Sequence, residues 1–106
     1  MDILEIDVDE LEQRLAAGAV LIDVREPDEF EEVRVPGARP IPLGEISSRA
    51  DEIPTASPVL LICAKGGRSM AAAEFLQSRG VEAVNVLGGT DAWVVGGFPV
   101  ESGPPT

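Results

Sequence analysis

The sequence predicts one α/β domain, built on a mainly parallel β-sheet with helices on both faces. Segments with strand and helix patterns alternate along the 106 residues, the order that right-handed β-α-β crossovers require. One segment, PVLLICA at 58–64, is apolar at both odd and even positions, as in a central strand covered on both faces. The chain is long enough for one hydrophobic core and too short for two domains.

The first elements follow from spacing and from helix signals. Apolar residues recur at helical spacing before Gly18, which predicts a helix over 9–17 with an aspartate cap at its start. The apolar run AVLID at 19–23 predicts a strand. PDEFEE, which begins at Pro27, predicts about one turn of helix, because proline is favoured at the first helical position.

The middle of the chain alternates in the same way. The prolines in VRVPGARPIPL exclude a long helix and predict a turn that leads into a short strand near Ile41. GEISSRADEI predicts a further helix, which ends before Pro54. After the strand at 58–64, SMAAAEFLQSRG at 69–80 predicts a strong helix with a glycine stop.

The last third supplies one more strand and one more helix. VEAVNVL at 81–87 predicts the strand, and GGTDAWVVGG predicts a helix around Trp93. We interpret Trp93 as a core residue and not as a stacking surface for a substrate. The segment ESGPPT at 101–106 is predicted to be a loose tail, so the folded domain covers 1–100.

Composition excludes several classes of function. A formal net charge of −11 repels phosphodiester backbones and anionic lipids, so neither nucleic acid nor membrane is expected as a partner. No apolar run approaches the ~20 residues of a membrane span, and the acidic N-terminus does not resemble a secretory signal. These features predict a cytoplasmic protein. One cysteine and no histidine allow no internal disulfide and no zinc or other soft-metal cluster, and no cofactor is predicted.

Acidic residues are unevenly distributed. Glu52 and Glu74 are consecutive acids, and residues 53–73 contain none, although the average density would place about four there. Lys65 and Arg68 lie inside this gap. The pattern predicts a locally positive patch that admits a small anion. A buried strand and an alanine-rich helix with no room for acids would explain the gap equally well.

The loop CAKGGRS at 63–69 holds the only cysteine and the only lysine of the chain. It joins a predicted central strand to a predicted helix, and ligands of open α/β sheets bind at such junctions. Gly66 and Gly67 allow consecutive backbone N–H groups to turn inward and form an anion-binding concavity. The N-terminus of the following helix adds partial positive charge.

Cys63 is therefore the candidate catalytic residue, with a predicted thiol pKa below the free value of about 8.5. Each residue taken alone has an ordinary structural explanation. A lone cysteine after an apolar strand is most often a buried hydrophobe, Lys65 would be a solvated surface residue, and Arg68 could pair with Asp23 or another carboxylate. The combination favours a functional thiol. Asp23 and Arg25 fall on the same rim, and we expect them to have a supporting role.

Four motifs in order resemble the rhodanese-like domain family. LIDVREPDEF at 21–30 is similar to its opening motif, VPGARPIPL at 35–43 to its central turn, CAKGGRS to its active-site loop, and LGGTDAWVVGGFPV at 87–100 to its closing motif. The resemblance covers nearly the whole chain. It implies a five-stranded, mainly parallel sheet with flanking helices and a cysteine that cycles through a persulfide.

The resemblance also assigns residues. It makes Cys63 the nucleophile, and Lys65 matches a cation position of thiosulfate-using members. Apart from the resemblance, we expect Ser69, which closes the loop, to have a supporting role. Many relatives have Gly-His where this chain has Val33-Arg34, a departure that would change the surface beside the site. The substrate-binding anion cradle that the resemblance implies consists of Ala64, Lys65, Gly66, Gly67 and Arg68.

Three functions remain open at this stage. The first is a single-domain sulfurtransferase that takes sulfur from a small anionic donor such as thiosulfate and passes it to cyanide or a thiol. The second is a phosphatase or arsenate reductase. The active-site loops of those enzymes resemble a cysteine followed by five residues and then an arginine, whereas only four residues separate Cys63 from Arg68. The third is a sulfur-relay or interaction module with a protein sulfur donor or acceptor, steered by the acidic surface.

Overall fold

The computed structural model describes residues 2–105. In this part of the chain the strands are β1 (Leu4–Ile6), β2 (Val20–Asp23), β3 (Arg39–Pro40), β4 (Val59–Ile62) and β5 (Ala83–Val86). The α-helices are α1 (Val8–Ala16), α2 (Pro27–Glu32), α3 (Gly67–Ser78) and α4 (Gly89–Val95). The strands form one parallel sheet in the order β1-β5-β4-β2-β3, which confirms the predicted α/β class. None of the helices in the described range is long and apolar enough to cross a bilayer.

The central strand β4 is buried on both faces. Leu61 packs in a cluster with Ala72 and Leu76 of α3, and Cys63 belongs to the same cluster. Leu60 points to the opposite face, where a second cluster includes side chains of α1 and α4. This two-sided burial is why PVLLICA shows no polar alternation. It also directs the Cys63 side chain toward α3.

Trp93 belongs to the second of these clusters, as the sequence predicted. Its side chain is 3% exposed, and its indole N–H donates to the carbonyl oxygen of Pro99 at 2.8 Å. The ring stacks on Phe98 with 4.5 Å between centroids. This packing fixes α4 against the sheet and leaves no free indole face for a substrate.

One strand was missed and one local prediction was wrong. The residue pattern gave no signal for β1, a three-residue edge strand in which Leu4 is exposed and Ile6 is buried. The single helix expected from GEISSRADEI is two short 3-10 turns, Leu43–Glu45 and Ala50–Glu52. Ser48 lies between them and donates its hydroxyl to the Glu45 carbonyl. Serine hydroxyls compete in this way with helical backbone hydrogen bonds.

The first part of the tail is docked on the domain, contrary to the expected loose segment. Arg34 and Glu101 exchange two backbone hydrogen bonds, of 2.9 and 3.0 Å. The Arg34 guanidinium donates to the Gly103 carbonyl at 2.7 Å and to the Phe30 carbonyl at 3.1 Å. The composition of the tail, from which a loose segment was predicted, cannot indicate a contact between residues far apart in the sequence. Arg34 is therefore buried under the tail, and it does not present the altered surface expected from the departure at Val33-Arg34.

Candidate active site

The loop after β4 folds back on the cysteine that begins it. Cys63 follows the last residue of β4, and α3 begins at Gly67. Gly66 caps α3 with φ of +111°, a conformation that side chains with a Cβ rarely adopt. This turn brings the Gly66 N–H to 3.1 Å from Cys63 Sγ. The local geometry is that of a backbone nest closed around a thiol.

The environment of the thiol favours its ionised form. Cys63 is 1% exposed, and this burial opposes ionisation. The Ser69 hydroxyl and the backbone N–H groups of Ser69, Gly66 and Lys65 donate to the sulfur and outweigh burial, so the pKa of Cys63 is lowered. Three members of the predicted loop thus converge on one sulfur atom. Their donors stabilise a thiolate without a histidine base.

The N-terminal turn of α4 holds the other side of the loop. The Thr90 N–H donates to the Cys63 carbonyl at 2.8 Å, and the Asp91 N–H donates to the Ala64 carbonyl at 3.0 Å. Gly89, with φ of +58°, lies so close that an added Cβ would be 2.4 Å from the Cys63 carbonyl oxygen. These bonds occupy carbonyl oxygens at the start of the loop. The sequence analysis did not predict these two hydrogen bonds, although the glycine pair in LGGTDAW was a signal for close backbone approach.

Arg68 is committed to a carboxylate. Its two terminal nitrogens donate to the two oxygens of Glu29 at 2.7 and 2.9 Å. The ion pair expected as the structural alternative is therefore present, with Glu29 of α2 in place of Asp23. Lys65 is exposed, and no carboxylate in residues 2–105 lies within ion-pair distance of it. Of the two cations in the acid-free gap, Lys65 is the one available to an anion.

The pair between Arg68 and Glu29 predicts a specific pH dependence. The hydrogen bond from Arg68 is the main cause that lowers the Glu29 pKa from 4.5 to about 2. A carboxylate with a depressed pKa stabilises the fold above its unfolded value, and this contribution is lost as pH falls through the folded value. Both side chains are about one-third exposed. We therefore expect Glu29→Gln to lower the free energy of unfolding at pH 7 by at most about 1 kcal/mol.

Urea unfolding measured from pH 7 to pH 2 tests this dependence. The difference between wild type and Glu29→Gln should shrink as pH falls below 4.5 and approach zero near pH 2. Glu31→Gln is the matched control, because it removes the same charge from the same helix and Glu31 forms no side-chain ion pair among the described residues. A constant difference across the pH range, or an equal loss in Glu31→Gln, would contradict the assignment.

Asp23 and Arg25 form a buried pair behind this contact. Arg25 donates to both Asp23 carboxylate oxygens at 2.8 to 3.1 Å. The same guanidinium donates to the backbone carbonyls of Glu29 at 3.3 Å and Val33 at 2.7 Å. The pair therefore ties the end of β2 to the middle of α2 and to the residue that follows α2. This helix carries the partner of Arg68. This placement is compatible with the predicted supporting role.

Two polar residues next to the site were missed from the sequence. Asn85 on β5 accepts the Ser69 hydroxyl at 2.6 Å and donates to Glu5 on β1 at 2.8 Å. Asn85 also donates to the Gly66 carbonyl at 3.2 Å. The signal for Asn85 was its position as a polar residue within the apolar strand VEAVNVL. Glu5 gave no signal, because β1 itself was not predicted.

Comparison with known proteins decides the family. The sequence model of the rhodanese-like domain matches residues 7–95. The chain belongs to the rhodanese-like domain family. A relative from Allochromatium vinosum named sulfurtransferase is 37% identical over 91% of this chain and 92% of its own length. The uncharacterized protein YqhL of Bacillus subtilis is 45% identical over 77% of this chain and 68% of its own.

Solved structures agree with this assignment. A rhodanese-related protein from Thermoplasma volcanium superposes with a TM-score of 0.87 at 33% identity, over 92% of this chain and 97% of its own. The rhodanese-like fold with its five-stranded parallel sheet is thereby confirmed.

Proposed function

We propose that the protein is a single-domain sulfurtransferase that carries sulfane sulfur on Cys63. Thiosulfate or a related small anion is the donor, and cyanide or a thiol is the acceptor. The observation that carries the proposal is the Gly66 N–H at 3.1 Å from Cys63 Sγ, within a loop whose donors lower the thiol pKa. Such a thiolate is a nucleophile near neutral pH.

In the first half-reaction, the Cys63 thiolate attacks the outer sulfur of thiosulfate. A bond forms between Sγ and that sulfur, the bond from that sulfur to the sulfite group breaks, and sulfite leaves with the bonding electrons. The negative charge of the resulting persulfide lies on its outer sulfur. The amide groups of the loop are positioned to stabilise this charge. Lys65 is exposed at the loop and would attract the anionic donor.

In the second half-reaction, the acceptor attacks the outer sulfur of the persulfide. The bond between that sulfur and Sγ breaks, and Sγ recovers its electron pair as the Cys63 thiolate. The two halves share no complex in which donor and acceptor are both bound. The proposal therefore predicts ping-pong kinetics.

Intact-mass measurement after incubation with thiosulfate tests the proposal. We expect a mass increase of one sulfur atom, because one cysteine is present in the chain. Cyanide or dithiothreitol should remove the added sulfur and restore the original mass. Absence of the adduct at a thiosulfate concentration well above millimolar would overturn thiosulfate as donor.

Charge-matched variants separate donor binding from thiol chemistry in the same experiment. Lys65→Gln should slow adduct formation from thiosulfate by about tenfold, the effect of one close charge. Arg79→Gln removes an equal charge at the far end of α3 and should leave the rate unchanged. Equal slowing in both variants would assign the effect to net charge and not to a donor site at Lys65.

A sulfur relay with a partner protein is the second candidate. The acidic helix α2, with the sequence PDEFEE, is linked to the cysteine loop through the contact of Glu29 with Arg68. Such a surface beside the thiol favours a basic partner. Incubation with a persulfide-loaded cysteine desulfurase distinguishes the two. Loading by the desulfurase in the absence of loading by thiosulfate would favour the relay.

The arrangement does not support a phosphatase. In that class an arginine would be required to hold a tetrahedral oxyanion above the cysteine, and both terminal nitrogens of Arg68 are bound to Glu29. We expect hydrolysis of an aryl phosphate to remain at background.

A further inference from the structure

The Ser69 hydroxyl has one proton and two acceptors within reach. Its oxygen lies 2.6 Å from Asn85 Oδ1 and 3.3 Å from Cys63 Sγ. Ser69 is fully buried, and Asn85 is 1% exposed. A buried hydroxyl can donate fully to one acceptor at a time. The two acceptors therefore compete for the same proton.

The orientation of the Asn85 amide follows from its other neighbours. The Glu5 carboxylate at 2.8 Å and the Gly66 carbonyl at 3.2 Å both lie next to the same atom of the amide. An ionised carboxylate and a backbone carbonyl can only accept, so this atom is the amide nitrogen. The amide oxygen then faces Ser69. The short contact between these oxygens requires a proton, and only Ser69 can supply it.

We propose that Asn85, held in this orientation by Glu5, is a positioning residue that controls the Ser69 proton. While Cys63 is protonated, Ser69 donates to Asn85 and leaves a lone pair toward the sulfur. When the thiol loses its proton to solvent, the hydroxyl rotates and donates to Sγ. Asn85 Oδ1 then has no donor, and a buried acceptor without a donor is unfavourable. Asn85 thus makes the bare thiolate less stable than it would be with Ser69 alone.

The same competition favours the loaded enzyme, a step that rests on the proposed function. In the persulfide, Sγ is bonded to the second sulfur and no longer carries the negative charge. Sγ then needs no hydroxyl donor, and Ser69 can return to Asn85. The thiolate state lacks the hydrogen bond from Ser69 to Asn85, whereas the persulfide state retains it. Asn85 therefore shifts the equilibrium toward the persulfide.

Charged side chains occur in the loop and on the elements around it, and the first test leaves them in place. They are Lys65 in the loop, Arg68 on α3, Glu29 on α2, Asp23 at the end of β2, Arg25 after β2, Glu5 on β1 and Asp91 on α4. Of these, Glu5 hydrogen-bonds the Asn85 side chain. Replacing Asn85 alone therefore changes the hydrogen bonding of Ser69 without removing a charge.

The decisive measurement is the pH dependence of Cys63 alkylation by iodoacetamide in Asn85→Val. Valine fits a buried strand and cannot accept from Ser69. The thiol pKa is expected to fall by about one unit, which is tenfold more thiolate below the pKa. A purely structural role predicts the opposite sign, because loosening Gly66 would weaken the loop donors and raise the pKa.

The Ser69→Ala background supplies the control. There, Asn85→Val should leave the thiol pKa unchanged, because the proton for which the two groups compete is gone. An unchanged or raised pKa in the single variant, or an equal fall in both backgrounds, would overturn the proposal. If Asn85→Val does not fold, Glu5→Gln replaces it at an exposed position. This variant also removes a charge, but the effect of that charge on the thiol pKa is the same in both backgrounds. The pKa should then fall by less than one unit, and more in wild type than in Ser69→Ala.

This test is independent of the sulfurtransferase proposal, because alkylation needs no sulfur donor. A failure of thiosulfate loading would leave the alkylation result valid, and the reverse also holds. If both succeed, the ratio of persulfide to free enzyme at a fixed ratio of thiosulfate to sulfite can be compared. It should be up to tenfold lower in Asn85→Val than in wild type.

Discussion

Cys63→Ser is expected to abolish sulfur loading and to reduce turnover with thiosulfate and cyanide by at least about four orders of magnitude. Serine has nearly the same size, but its hydroxyl does not ionise near neutral pH. Its activation would require a base such as histidine, and the chain contains none. The amide donors around position 63 cannot replace that base. Intact mass and a thiocyanate assay measure both parts of the effect.

Ser69→Ala serves as the comparison for this variant. Ser69→Ala removes the hydroxyl beside the sulfur. It retains the thiol and the backbone donors of Lys65 and Gly66. We expect it to raise the thiol pKa and still accept one sulfur atom. Turnover retained in Cys63→Ser, with the fold verified by its thermal unfolding, would contradict the assignment of the nucleophile.

Gly89→Ala is expected to be the most damaging single-methyl change at the site. The added Cβ would lie 2.4 Å from the Cys63 carbonyl oxygen and 2.6 Å from that of Ala64. Both obstructing atoms are backbone, so no side chain can move aside. The α4 turn must shift away from the loop, which breaks the hydrogen bonds from Thr90 and Asp91. We expect a loss of about 3 kcal/mol or more in the free energy of unfolding, together with a raised thiol pKa.

Gly97→Ala separates steric overlap from backbone strain. Gly97 also has a positive φ, of +77°, but an added Cβ there meets nothing within 4 Å. Its replacement should cost about 1 kcal/mol through conformation alone and leave the thiol pKa unchanged. Urea unfolding and alkylation kinetics measure the two effects. Similar losses in both variants would show that the contact with the cysteine loop has no special importance.

The positive patch predicted from the acid-free stretch is smaller in the structure than in the sequence. Glu29 lies outside the stretch but reaches Arg68 across the space between α2 and α3. Lys65 retains an exposed ammonium group. Linear charge spacing could not show this, because the neutralising carboxylate is 39 residues away.

Much of the fold could be predicted because its determinants are local. The two-sided apolar run of β4, the proline that opens α2 and the aspartate that caps α1 each act within a few residues. The position of Cys63 between a buried strand and a glycine-rich turn was also readable in the sequence. The groups that donate to its sulfur belong to Lys65, Gly66 and Ser69, which follow Cys63 closely in the sequence.

Tertiary structure alone decided the contacts that complete the site. Glu29, Gly89 and Asn85 contact the cysteine loop from three different elements, and Glu5 contacts Asn85 from a fourth. Their placement depends on the parallel strand order and on helix packing. The docking of the tail on Arg34 has the same origin. Long-range hydrogen bonds leave no periodic pattern in a sequence, because either partner alone resembles an ordinary polar or small residue. The chain thus encodes the thiol and its nest locally, whereas the groups that fix and tune them meet only when the sheet has formed.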